Sequence, residues 1–415
     1  MTENEVPPEH EVPLQYEAPF QYEAPFRGLK VVDLSQGLAA PYCGMLMAQY
    51  GADVIKVEPV DGDWSRTLSS SYGEHSAFSI CANLGKRSVA LDLKQDSGKA
   101  VLWQLLTGAD VLIEGFRPGV MQRLGFGYEA VAAREPRLLY VSVSGFGADG
   151  PLANRPAMDP VLQAYTGLTL ENRGADGIPQ RVPISIVDMS TGLYAFQALV
   201  AALYARRDAP RGRHIQLSLL ESAAAIQTVR LIAEALDGEA ASVNLPPSGA
   251  FEAADGWVAL QVVSEEDWLR LCGALQADDL PRDARFAGRD ERIAHQSELY
   301  AELRRRFRDW PAALIAERLL HAGVLHQRLQ SYAQFLKDEH VTQTRTIAWL
   351  DQPGAAHAVP IPRLPGAATL SASDPRAVAP ACGQHTREVL RAAGITPDTL
   401  AALTGSGVIR EANAS

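Results

Sequence analysis

The chain has 415 residues, 47% of them hydrophobic and 21% charged, enough to bury a sizeable core and to form two domains. A net charge of -11 speaks against a nucleic-acid binder, which would carry a basic excess or stripe. With no run of about 18 apolar residues, no membrane-crossing helix is expected.

The first residues, MTENEVPPEHEVP, are acidic and proline-rich and lack the order of a signal peptide. The four cysteines (Cys43, Cys81, Cys272, Cys382) are scattered, with no C-x-x-C pair, so free thiols and a cytoplasmic location are expected. Residues 15–26 repeat the hexapeptide QYEAPF. Two copies broken by proline are too short for a solenoid, and residues 1–26 read as a flexible tail. His321 and His326 are five apart and fall on different helix faces, so no metal site is expected.

From Leu29 the chain alternates between apolar runs and helical stretches. LKVVDLS, ADVIKVEP, SVALDLK, ADVLIEGF and RLLYVSVSGFG read as buried strands. APYCGMLMAQYG reads as a helix, with Pro41 near its start and Gly51 past its end. SGKAVLWQLLTG reads as another, with Ser97 as its expected cap. Such alternation with short connections predicts an α/β layer with a mostly parallel sheet. After a strand-like VPISIV, MSTGLYAFQALVAALYARR predicts a long helix, RHIQLSLL a strand and ESAAAIQTVRLIAEAL one further helix. Gly238 to Ser248 reads as a linker. DGWVALQVV and three helices (EEDWLRLCGAL, SELYAELRRRF, WPAALIAERLLHAG) then suggest a smaller α+β unit. HTREVLRAAG is the last expected helix.

Several segments carry residues suited to chemistry. SQGLAAPYCG joins a strand to a helix, where amide groups face a phosphate in some folds, but it is not G-x-G-x-x-G, and a plain turn is the commoner reading. Lys86, Arg87, Lys94, Arg117 and Arg123 cluster near strand ends, where open α/β sheets bind nucleotides; solvated surface charge is an equal alternative. Asp188 sits at the expected start of the long helix. There it could cap the helix, and the helix dipole would keep it ionised, as a nucleophile requires. Gly192 would let a substrate approach closely. Capping alone is the commoner use of such a residue, and Asp33, Asp92 and Asp159 compete for a catalytic role.

Six blocks, in order and at fitting spacing, resemble the class III CoA-transferases, the group of formyl-CoA and carnitine transferases and their α-methylacyl-CoA racemase relatives. They are FRGLKVVDLSQGLAAPYCGMLMAQYGADVIKVEPVDGDWSR, LGKRSVALDLK, ADVLIEGFRPGVMQRLG, VSVSGFGADGP, IVDMSTGLYAFQALVAALYAR and ACGQHTREVL. The resemblance runs from about Leu29 to Ile409. It implies that Asp188 is the catalytic carboxylate. It also implies CoA contacts at Leu38, Ala39, Leu91, Lys94, Gly115, Phe116, Arg117 and Arg123, with Pro59 standing where some members carry a basic residue.

For the fold, the resemblance implies a Rossmann-type large α/β domain from both chain ends (27–225 and 331–415) and a small α+β domain (226–330). The ring-like protomer would form an interlocked homodimer. The activity implied is transfer of CoA between a CoA thioester and an acceptor carboxylic acid, through aspartyl anhydride and aspartyl-CoA thioester. Amides around Gly145 to Gly147 or at the Asp188 helix would stabilise the oxyanions. No permanently bound cofactor, metal, nucleic acid or membrane is implied. The alternatives are a racemase and a CoA-binding protein without turnover. Racemase relatives carry a His-Asp pair where this chain has Met158-Asp159, and methionine cannot carry a proton. The oxalate-using branch has a glycine-rich loop where this chain reads LPPSGAFEAADG, and a glutamine at Leu38, so a formyl-CoA/oxalate pair is not expected.

Overall fold

The computed structural model describes residues 24–174, 177–238, 245–367 and 369–412. By their contacts the residues fall into two units, Met1–Ile226 with Gln343–Ser415, and Gln227–Thr342.

In the first unit, short apolar strands alternate with helices. Strand β1 (Lys30–Asp33) leads to helix α1 (Ala39–Gln49), every residue of which is buried. Gly51 follows at φ +95°, a left-handed position that glycine takes without steric cost. Next come β2 (Asp53–Glu58), α2 (Ala77–Asn83), β3 (Arg87–Leu91), α3 (Asp96–Leu106), β4 (Val111–Glu114), β5 (Leu139–Ser144) and α4 (Asp159–Tyr165). The long helix α5 (Ile186–Arg206), strand β6 (His214–Ser218) and helix α6 (Leu219–Ala225) complete this half.

Three local expectations are corrected. Ser97 lies inside α3, whose N-cap is Gln95 without a side-chain cap bond; Asp96 instead supplies a negative charge to the first turn. VPISIV is not a strand, because Ile186 and Val187 already belong to α5. The helix expected over ESAAAIQTVRLIAEAL breaks at Ile226–Gln227.

Among the described residues, helix α5 is the one long and apolar enough to cross a bilayer by length and composition. Here its buried Val187, Ala195, Leu199 and Ala202 join a core with Ala40, Cys43 and Met47 of α1 and Val141 of β5. That is how an apolar helix behaves when packed in a core.

The tail expected through Phe26 ends sooner. Phe26 lies edge-on to Tyr50 and Phe196, and its amide donates to the Tyr50 carbonyl at 3.0 Å. Residues 15–23 of the duplicated hexapeptide lie outside the described residues.

The second unit starts with α7 (Thr228–Asp237). Strands β7 (Ser248–Ala253) and β8 (Gly256–Gln261) form a hairpin, followed by α8 (Glu265–Ala274), α9 (Gln296–Arg308), α10 (Ala312–His321) and β9 (Leu325–Arg328). The sheet is antiparallel in the order β9-β8-β7. Its core gathers Phe251, Val258, Trp268, Phe286, Leu303 and Phe307. Strand β7 begins inside LPPSGAFEAADG, where glycine and proline hide the strand pattern and only pairing with β8 reveals it.

Returning to the first unit, β10 (Ile347–Leu350) and β11 (Val359–Pro362) form a ribbon. Helices α11 (Thr386–Ala392) and α12 (Pro397–Gly405) precede β12 (Ile409–Arg410). The main sheet runs β12-β3-β2-β1-β4-β5-β6. All its pairings are parallel except that of β12 with β3. Chain order departs from β1 toward β2 and β3, then jumps to β4 on the other side. The switch point, where open α/β sheets leave a crevice beyond the strand ends, therefore lies between β1 and β4.

Candidate active site

Two loops meet at that switch point, one leaving β1 and one leaving β4. The Leu34 amide donates to the Ile113 carbonyl at 2.8 Å. A side-chain carbon at Gly115 would lie 3.5 Å from both Ser35 and Ala40. The sheet thus brings Leu38 and Ala39 to the same crevice as Gly115 and Phe116. Leu38 and Ala39 are buried, each 8% exposed.

Buried charge holds the first loop. Asp63 accepts hydrogen bonds from the amides of Gly37 at 3.1 Å and Ser65 at 2.9 Å, and pairs with Lys56 at 2.7 Å. Lys56 also donates to the Ser35 carbonyl. Beside it, Lys86 pairs with Asp33 at 2.7 Å and donates to the Pro41 carbonyl at 2.7 Å. All four charged groups have fully buried side chains. Gly44 is needed there, because a Cβ would fall 2.6 Å from an Asp33 oxygen.

The expected basic cluster therefore divides. Lys86 is a strut beneath α1. Arg87 is shared between Asp53 at 2.6 Å and Glu388 at 2.9 Å. Lys94, Arg117 and Arg123 are exposed and form no ion pair among the described residues, leaving three positive charges near the carboxyl ends of β3 and β4. Phe116, Arg117 and Gly119 line a cavity of about 270 Å³ that also takes in Glu114, Ser142 and His214. Leu91 is 2% exposed and packed in the core, so its side chain is not open to a ligand. Pro59 turns the chain, its carbonyl accepting from Gly62 at 2.7 Å.

Asp188 lies in the first turn of α5, not ahead of it. Helices α1 and α5 run side by side in the same direction. A Cβ at Gly192 would sit 2.7 Å from the Ala39 carbonyl and 2.9 Å from Tyr42, and further along Phe196 stacks on Tyr50 at 5.5 Å. Gly192 therefore serves helix–helix contact, which corrects the expectation that it admits substrate. Asp188 is one turn earlier on the same face, level with the start of α1 and the Leu38–Ala39 loop.

The amide groups at the start of α5 are all engaged. Asp159 accepts from Val187 at 2.7 Å and Asp188 at 3.1 Å, Ile184 accepts from Ile186 at 2.9 Å and Ser185 accepts from Met189 at 3.0 Å. Asp159, which is 3% exposed, is thus the cap of α5, supplied from 29 residues away. Two expectations fall with this. The helix start has no amide left for an oxyanion, and the helix dipole does not keep Asp188 ionised. Burial, helped by the Asp159 charge, instead pushes the Asp188 carboxyl up to about 7.

The Gly145–Gly147 loop reaches this region through its neighbour. A Cβ at Gly145 would collide with Ala157, two residues before Asp159. Met158 is half exposed beside it.

Sequence reasoning missed two groups. Trp64 packs on Gly37, where any Cβ would strike its ring, yet the side chain stays 46% exposed. The motif D-W-S-R was the available signal. Ser142 bonds His214 at 2.8 Å and also a Glu114 carboxyl that burial pushes up. An apolar cavity of about 740 Å³, lined among others by Tyr42, Met45, Ile80, Met189 and Ile361, does not include Asp188.

Comparison with known proteins identifies the family. Residues 26–386 match the model of CoA-transferase family III. The chain is 35% identical over 305 residues to an acetyl-CoA:oxalate CoA-transferase of Acetobacter aceti, covering 72% of this chain and 78% of the relative. It is 32% identical to a succinyl-CoA:mesaconate CoA-transferase of Haloarcula hispanica, over 89% of this chain and 97% of that one. Among solved structures, the protein Rv3272 of Mycobacterium tuberculosis superposes with a TM-score of 0.78 at 28% identity, covering 88% of this chain and 99% of that one. With its mixed α/β fold and mostly parallel central sheet, the chain belongs to CoA-transferase family III and is an enzyme that transfers CoA.

Proposed function

We propose that the enzyme moves CoA from an acyl-CoA donor to a free carboxylic acid, with Asp188 as nucleophile. The observation that carries this reading is a half-buried carboxylate near the start of α1, with no neighbouring cation among the described residues and its proton affinity raised to about 7. Desolvation leaves such a carboxylate poorly stabilised as an anion, and therefore reactive once ionised.

An Asp188 oxygen attacks the thioester carbonyl, the C–S bond breaks, and CoA leaves as thiolate from a mixed anhydride. The thiolate then attacks the Asp188 carbonyl, forming an aspartyl-CoA thioester and releasing the donor acid as carboxylate. The acceptor carboxylate attacks that thioester, and the returning thiolate attacks the acceptor carbonyl, which frees Asp188 and the new acyl-CoA. With the α5 amides engaged, the Gly145–Gly147 loop is the source we assign to oxyanion stabilisation.

We further assign the CoA seat to the β1/β4 crevice, in a Rossmann-type unit. Leu38, Ala39, Leu91, Gly115 and Phe116 would border the pantetheine and nucleotide, and Lys94, Arg117 and Arg123 would meet phosphates. No permanently bound cofactor is required, because CoA arrives as substrate. The relatives' names favour small dicarboxylic acids as acceptors, oxalate included. An interlocked homodimer is the assembly we propose; a folded, active monomer on dilution would refute it. Four free thiols suit a reducing cytoplasm.

The racemase reading requires two proton carriers flanking the α-carbon. Met158 cannot carry one, and the Asp159 carboxylate is bound to two amides and Gln163. The test is a donor and acid panel in deuterated water. We expect CoA exchange, covalent trapping at Asp188 and little α-deuterium. Rapid α-exchange of a 2-methylacyl-CoA without trapping would overturn the assignment.

A further inference from the structure

Asp159 occupies a position that the transfer chemistry does not explain. Its Oδ2 accepts from the amides of Val187 at 2.7 Å and Asp188 at 3.1 Å. Its Oδ1 accepts from Gln163 Nε2 at 2.6 Å. Gln163 in turn accepts from the Val182 amide at 2.8 Å. The approach to α5, its first turn and α4 are thereby fastened together, with a negative charge bonded to the very residue whose side chain is the nucleophile. A helix start can be capped by a neutral serine or asparagine, so capping alone does not call for a carboxylate from another helix.

Among the described residues, Asp159 is the charge that acts on Asp188. Helix α1 has no charged residue; its Tyr42 is pushed up to about 12 and Cys43 upward as well by burial, so neither ionises near neutrality. On α6, Glu221 is bonded to Ser218 at 2.8 Å. On β6, His214 is bonded to Ser142, and burial holds its proton affinity down. Of α5's own charged groups, Arg206 lies at the far end and pairs with Asp110. On α4, Tyr165 lies against Phe146, which leaves Asp159 as the charge that acts on Asp188.

We propose that Asp159 is a positioning residue that fixes Asp188 beside the α1 loop and, by its charge, favours the covalently loaded forms of Asp188. The inference rests on Asp188 being the nucleophile. The free carboxylate of Asp188 is repelled by Asp159. In the anhydride Asp188 is neutral and the charge has left on the CoA thiolate. In the aspartyl-CoA thioester Asp188 is again neutral, and the charge has left on the released acid. Loading therefore relieves the same repulsion that protonation relieves. One coupling enters two equilibria, and removing it must move both in the same sense.

The test uses the full chain and the variant D159N, which keeps an acceptor for the α5 amides but removes the charge. Acetyl-CoA and succinyl-CoA serve as donors. The thioester formed without acceptor acid is reduced by borohydride and scored by peptide mass as the alcohol at position 188. The acid limb of kcat/KM is followed in parallel. In D159N we expect the limb to move to lower pH and the loading equilibrium to weaken, about tenfold for each pH unit of that shift.

The same amide places a donor against Gln163. If D159N does not fold, D159N/Q163E restores the complementary bond while moving the charge one side chain away, and a smaller shift of both readouts is expected. Wild-type trapping with neither readout changed in a folded variant overturns the role of Asp159 alone. So does a wild-type acid limb at about 4, the ordinary carboxylate range. Absence of trapping in the wild type with either donor defeats the nucleophile reading, and this inference with it.

Discussion

Replacing Asp188 by asparagine should abolish transfer and at the same time stabilise the fold, increasingly so as the pH rises. Burial, with the Asp159 charge beside it, pushes the folded carboxyl from its ordinary 3.8 up to about 7, so its folded-state pKa is raised. Between those values the unfolded chain ionises Asp188 while the folded chain keeps its proton. The unfolded state then binds fewer protons, and stability falls as pH rises through that window. At pH 4 the cost is under about 1 kcal/mol, and by pH 8 it saturates near 4 kcal/mol, taking about 1.4 kcal/mol per unit. D188N has nothing to ionise and escapes this cost. For a chain of this length unfolding as a whole, the difference corresponds to about 4 °C in Tm. The assay is thermal unfolding of both proteins from pH 4 to pH 8 at fixed concentration, because an oligomer's Tm depends on concentration. Parallel pH profiles, or a D188N protein less stable at pH 8, would refute the assignment of a burial-raised carboxyl at this position.

Two further outcomes separate the basic residues by role. R117A and R123A should each raise the KM for acyl-CoA about tenfold or more, with little change in the KM of the free acid, because a lost charge-assisted phosphate contact weakens nucleotide binding alone; steady-state kinetics with donor and acid varied independently would show this, and an unchanged acyl-CoA KM in both variants contradicts the CoA seat. K86M should instead lower stability by about 3–5 kcal/mol, since it strands the buried Asp33 carboxylate without its cation; denaturant melts measure this, and a K86M protein of wild-type stability with weakened CoA binding would reverse the roles assigned here.

The alternation of strand and helix was readable because parallel strands covered on both faces are mostly apolar, as in the Val111–Ile113 run of β4. Strand β7 was hidden, because SGAFEA has little apolar alternation and is held by its pairing with β8. The break at Ile226–Gln227 was hidden as well, since the sequence there stays helix-compatible across it. The position of Asp188 was readable only through the order of the resembling blocks; one aspartate before a small-residue helix carries no such information by itself.

Its ionisation was not readable at all, and the reason is physical. The dipole argument counts local amides as free, but their use is decided by whatever the fold brings to them. Here the Asp159 carboxylate crosses 29 residues to take two of them, turning a stabilising field into a repelling charge. The same non-locality separates Lys86 from Lys94. Both lie in one short basic stretch, yet only Lys86 meets an acid 53 residues away in the core. Local sequence specifies which charges exist; tertiary partners decide which remain free for a ligand. In the proposed reading, a transferase that must bind a polyanion while keeping its nucleophile poorly solvated would meet the two requirements with different residues: cations beyond β3 and β4 that are unpaired among the described residues, and the acid at the start of α5.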